Sequence, residues 1–122
     1  MAIPTRVMAA GNAASSAVQI CGDVADTLTA AGTTNADALQ LSAIINRVTT
    51  TALNAGLRLM LPEAGSQVMV INSGANALLV YPGTGAAINA LTVTTAGFSI
   101  AAGGRSLFVG TSSANWFANL SA

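Results

Sequence analysis

QVMVINSGANALLVYP, residues 67–82, holds two apolar runs, Val68–Ile71 and Ala77–Tyr81, on either side of Asn72-Ser73-Gly74-Ala75-Asn76. Asn, Ser and Gly tolerate the tight dihedrals of a chain reversal, so the stretch is expected to form a β-hairpin. Neither run alternates with polar residues in the way a strand does when one face meets water. Both faces of this hairpin therefore need cover, from the rest of the chain or from a second copy of it.

Working outward, the same short-strand rhythm continues to the C-terminal end. Ala87–Val93, Phe98–Ala101, Ser106–Val109 and Ala114–Ala118 are strand candidates, set apart by Ala96-Gly97, Gly103-Gly104 and Gly110–Ser113. Short strands at near-regular spacing with glycine turns predict an all-β fold, a small antiparallel β-sandwich or barrel. Trp116 and Phe117 are neighbours, so on a strand they point to opposite sides, one into the core and one outward. On the N-terminal side, Leu57–Leu61 lies between turns at Asn54-Ala55-Gly56 and Pro62–Ser66. Thr34–Val48 reads either as a helix capped by Thr34 or Asn35, or as two strands; the β-branched run Val48–Thr51 favours strands. AVQICGDV, residues 17–24, is a further short strand candidate, and Asp23 and Asp26 are expected in turns or caps. Residues 1–19, rich in Ala, Ser and Gly with Pro4 near the start, are expected to be an extended N-terminal arm, with residues 20–122 as a single β domain. Deleting residues 1–16 is then expected to leave the fold intact and weaken assembly.

Composition narrows the function. The 122 residues are 52% hydrophobic and 7% charged: Arg6, Arg47, Arg58 and Arg105 face Asp23, Asp26, Asp37 and Glu63, with no lysine and no histidine. An ordinary domain is about a quarter charged. Residues 64–104 carry no charge, yet Gly, Pro, Asn, Ser and Thr interrupt every apolar run well short of the roughly 18 residues a membrane helix needs. Four scattered arginines and zero net charge argue against nucleic acid, which requires cations gathered on one face. Lone Cys21 has no internal disulfide partner and reads as a small buried hydrophobe. Gly83-Thr84-Gly85 lacks the third glycine of a dinucleotide loop and the Gly-Lys-Ser/Thr of a P-loop, which leaves a plain turn. Without His or Lys, and with four acids spread along the chain, no catalytic route has all its members, so no enzyme activity, cofactor or metal is expected.

What remains is a small, neutral, hydroxylated protein that assembles. Its candidate partner-binding residues are Ile3, Pro4, Arg6, Val7 and Met8 of the arm, and Trp116 and Phe117. The succession ADALQL, INRVTT, GLRLMLP, VMVINSGANALLVYPGTGAAINAL, FSIAAGGRSLFVGTSS and Trp116 resembles the decoration, or cement, proteins of tailed bacteriophage heads, over roughly residues 27–118. The resemblance implies a non-enzymatic structural protein, commonly a homotrimer. Such a protein is made in the bacterial cytoplasm and seated on the outer capsid surface of the virion, where it bridges subunits of the major capsid protein. Two rival readings are a tail or fibre module that stacks sugars on Trp116 and Tyr81, and a subunit of a surface layer or appendage.

Overall fold

The computed structural model describes residues 23–92 and 97–121, the side chains of 119–121 excepted. The expected arm, residues 1–19, and most of the strand candidate at 17–24 lie outside the described residues. Eleven strands run in order: β1 Val24–Thr29, β2 Leu39–Gln40, β3 Ile45–Thr50, β4 Gly56–Arg58, β5 Gln67–Asn72, β6 Leu78–Tyr81, β7 Ala87–Ile88, β8 Leu91–Thr92, β9 Phe98–Ile100, β10 Arg105–Gly110 and β11 Asn115–Ser121. They form a seven-stranded sheet, β1-β3-β5-β10-β11-β7-β8, and a four-stranded sheet, β2-β4-β6-β9. The fold is mostly β, and the segment Thr34–Val48 contains strands and no helix.

The first six strands alternate between the two sheets. Within the seven-stranded sheet β1, β3 and β5 lie parallel. Within the other, β2, β4 and β6 do the same. This half of the chain is thus a coil that deposits one strand in each sheet per turn. The coil corrects two expectations. Pairing is mixed instead of antiparallel throughout, with antiparallel ladders concentrated in the second half, where β10 inserts between β5 and β11 and β9 closes on β6. Residues 67–82 are not a hairpin either, because β5 belongs to one sheet and β6 to the other.

The physical cause lies at residue 72. Asn72 is fully buried, and its side-chain amide donates to the carbonyls of Asn76 at 2.9 Å, Ile100 at 3.0 Å and Ala101 at 3.2 Å. Its Oδ1 accepts from the Gly74 N–H at 3.0 Å and from Thr51 Oγ1 at 3.1 Å. Five contacts use the whole capacity of the amide, two N–H donors and two lone pairs, with one N–H shared between two of the three carbonyls. They fasten the 73–77 corner to the preceding coil turn and to the β9–β10 loop, so the chain crosses to the other sheet and does not fold back on β5. Gly74 fits because any Cβ there would overlap the Thr51 side chain.

One core lies between the sheets. From the seven-stranded sheet come Val48, Val68, Val70, Phe108 and Trp116; from the four-stranded sheet come Leu57, Leu78, Val80 and Ile100. Phe98 and Phe108 meet edge-to-face across the gap with ring centroids 5.5 Å apart, a favoured aromatic geometry. The expected strand at 87–93 is interrupted, since Asn89 takes a left-handed φ of 54° and turns Ala87–Ile88 back onto Leu91–Thr92. Asn89 tolerates that region better than most residues.

Candidate interaction surface

The outer faces of the two sheets differ in chemistry. Over the four-stranded sheet, the β1–β2 connection packs as a cover. Tyr81 Oη donates to the Thr33 carbonyl at 2.8 Å, Arg58 donates to the Asn35 carbonyl at 3.0 Å, and the Gly83 N–H donates to Asn35 Oδ1 at 3.2 Å. Asp37 holds this connection in shape by accepting from the Thr34 hydroxyl and from the Thr33 and Thr34 N–H groups. These bonds keep its carboxyl below the ordinary carboxylate range, the Thr34 hydroxyl contributing most. Burial pushes the Tyr81 phenol up, with the nearby Asp37 charge adding to the effect.

The seven-stranded sheet presents an apolar outer face. Cross-strand register sets Val24, Ile45, Met69 and Leu107 in one row. Val109 stands beside Phe117 in the next, and Ile71 continues the face on the other side, between Arg47 and Arg105. Val24 and Phe117 are exposed, at 60% and 50%, and the others are half-buried. Five adjacent strands at about 4.8 Å spacing make this face roughly 20 Å wide. Its polar surround includes Gln67, Arg105 and the ion pair Arg47–Asp26 at 2.8 Å. An apolar centre with a polar rim is the usual anatomy of a protein–protein interface.

The Arg47 guanidinium, and after it the Thr27 N–H, hold the Asp26 carboxyl below its ordinary range. Asp26 therefore sits on strand β1 in an ion pair, not in the expected turn or cap. Both side chains of the pair are about half exposed, so solvent screens it and its worth is small. Because the folded value is depressed, the contribution is present at neutral pH and is lost as pH falls through that value. An Asp26→Asn chain is expected to unfold at slightly lower denaturant than wild type at pH 7, and the two midpoints should converge below about pH 4.

The remaining sequence candidates fall as follows. Phe117 is the outward aromatic and Trp116 the inward one, as their adjacency requires. Trp116 is 1% exposed and its indole N–H donates to the Met60 carbonyl at 3.1 Å, so it serves the core and offers no ring for a partner to contact. Tyr81, at 4%, is likewise closed to sugar stacking. Ile3, Pro4, Arg6, Val7 and Met8 lie outside the described residues. A shallow cleft of about 600 Å³ runs beside Trp116 and is lined by Ile44, Met60, Leu61 and residues 64–68. None of its lining residues titrates near neutral pH, and among the described residues no three His, Cys, Asp or Glu side chains gather as a metal site. Among those residues, too, no helix is long and apolar enough to cross a membrane.

Sequence reasoning missed the row Val24–Ile45–Met69–Leu107, because its members come from four separate segments. The non-alternating character of residues 68–71 was the available signal. Comparison with family models, curated proteins and solved structures returns no match for this chain.

Proposed function

We propose that the protein is a non-enzymatic structural component of a tailed phage head. In this reading it is a cement protein that self-associates, as a homotrimer, and binds major capsid protein subunits on the outer surface of the shell. The observation that supports this is the apolar outer face of the seven-stranded sheet, centred on Met69, Leu107, Val109 and Phe117 and left uncovered by any described segment of its own chain. The largest apolar patch on a protein surface is typically about 300–600 Å² and is often a functional one. Four strands by five residues comes to on the order of 300 Å² in projection, enough for the apolar centre of a standard interface of about 800 Å² per partner. The apolar centre within a polar rim fits a surface selected for contact with other protein, and the two-sheet body is read as a compact sandwich.

The test has two stages. Light scattering on the wild-type protein is expected to give about three chain masses of 12.0 kDa. A chain carrying Val109→Ser and Phe117→Asp is expected to keep its thermal unfolding temperature within a few degrees, since both side chains lie on the outer face and neither belongs to the core between the sheets. Its mass is expected to fall to that of one chain. Co-sedimentation with heads lacking their own decoration protein then tests the capsid assignment. A wild-type monomer that fails to pellet with any such head overturns the proposal.

A further inference from the structure

Most charged side chains among the described residues already have partners. Arg47 pairs with Asp26. Arg58 donates to Gln40 Oε1 at 2.6 Å and to the Asn35 carbonyl at 3.0 Å, and Asp37 accepts from Thr33 and Thr34. Arg105, Asp23 and Glu63 remain, each exposed and with no side-chain hydrogen bond or ion pair within that set.

Arg105 and Glu63 sit at opposite ends of β10. Arg105 opens the strand. At the other end the Gly110 N–H donates to the Ser66 carbonyl at 2.8 Å, the Gly65 N–H donates to the Gly110 carbonyl at 2.9 Å, and a Cβ on Gly110 would overlap the Glu63 carbonyl oxygen. Five residues of strand at about 3.4 Å each separate the two ends by roughly 17 Å, too far for an ion pair within one chain. Each charge also borders exposed apolar surface. Register sets Arg47, Ile71 and Arg105 in one row, next to the row that holds Met69 and Leu107. Glu63 follows Leu61 and Pro62, and Leu61 is 65% exposed although it does not belong to the outer face.

We propose that the Leu61-Pro62-Glu63 corner of one copy docks on the Arg105 end of the outer face of a second copy, with Glu63 pairing to Arg105 and Leu61 covering Ile71. This rests on the self-association in the functional reading and specifies its contact. The occupant follows from complementarity: the face offers a cation beside apolar surface, and the corner offers an acid beside an exposed leucine. Asp23, the other unpaired acid, adjoins Val24 of the face itself and brings no apolar group from outside it. Corner and receptor are different patches, so the contact is heterologous, and a rotation of a third of a turn per copy closes it into the ring of three that the reading requires. In such a ring each copy gives its Glu63 to one neighbour and its Arg105 to the other. The ion pair fixes register and orientation, and the apolar contact supplies the area.

Sedimentation equilibrium of the full chain at several concentrations tests it, with each variant first shown to melt like wild type. Arg105→Glu and Glu63→Arg are each expected to raise the dissociation constant about 10-fold or more, and the double variant, with the pair reversed, to return to within about 3-fold of wild type. A single reversal that leaves the constant unchanged, or a double variant no better than the singles, would overturn the proposal. Asp23→Arg is the control. Restoration of the Arg105→Glu chain by Asp23→Arg as fully as by Glu63→Arg would also overturn it, since the acid would then be the wrong one. The two readings fail separately. A wild type that stays at one chain mass overturns the self-association and this contact with it, whereas a wild type that assembles and ignores both reversals overturns this contact alone.

Discussion

Replacing Asn72 with leucine is expected to remove about 3–4 kcal/mol of folding stability, read as a lowered denaturant midpoint with an unchanged m-value. The residue has no access to solvent, so water cannot replace its bonds. Leucine would leave the Gly74 N–H and the carbonyls of Asn76, Ile100 and Ala101 without their partner, each orphan costing about 1–3 kcal/mol if fully buried. Partial relaxation of the exposed corner residues brings the sum down. Asn72→Asp separates shape from hydrogen bonding. Aspartate keeps the acceptor for Gly74 and Thr51 but turns a carboxylate toward three carbonyl oxygens, which raises its folded pKa. A raised acid is best tolerated when protonated, so this variant is expected to be closer to wild type at pH 4 than at pH 7. Equal loss at both values would mean that solvent reaches the corner, and the account of the sheet crossing given above would fail.

Trp116→Ala is expected to cost about 3–5 kcal/mol, close to the whole stability of an ordinary small domain. The ring is among the largest fully buried side chains, and its removal opens a void between β11 and the Met60 loop and also orphans the Met60 carbonyl. Trp116→Phe retains most of the volume and loses only the indole N–H, so a loss of about 1–2 kcal/mol is expected. Intrinsic fluorescence checks the same burial without mutation: Trp116 is the only tryptophan, and its emission should be blue in the native state and shift red in a single step with unfolding. Phe117→Ala, one residue along, is expected to cost less than about 1 kcal/mol, because half of that side chain already meets solvent.

Much of this was legible in the residues. The strands β5, β6, β9, β10 and β11 fall where apolar runs are bounded by Gly, Pro and Asn, since local propensity and turn chemistry act over a few residues. The Trp116–Phe117 pair divides inward and outward as strand geometry demands. The non-alternating run 68–71 called for cover on both faces, from the rest of the chain or from a second copy, and Met69 and Ile71 stand on the face that no described segment covers. The expected hairpin failed for a reason that no local rule contains. Asn72 looks like a turn residue, and it is one, but its partners include Thr51, Ile100 and Ala101, about 21 to 29 positions away in the chain. Those partners pull the corner across to the second sheet.

By itself, then, the sequence determined the strand-rich composition, the places where the chain bends, and the shortage of charge. These follow from properties of single residues and their near neighbours. Tertiary structure decided that successive strands alternate between sheets, that the first half pairs in parallel, and that Val24, Ile45, Met69 and Leu107 form one row. Strand pairing is a choice among distant segments with similar local preferences, and it is made by whichever register buries the most apolar surface while satisfying groups such as the Asn72 amide.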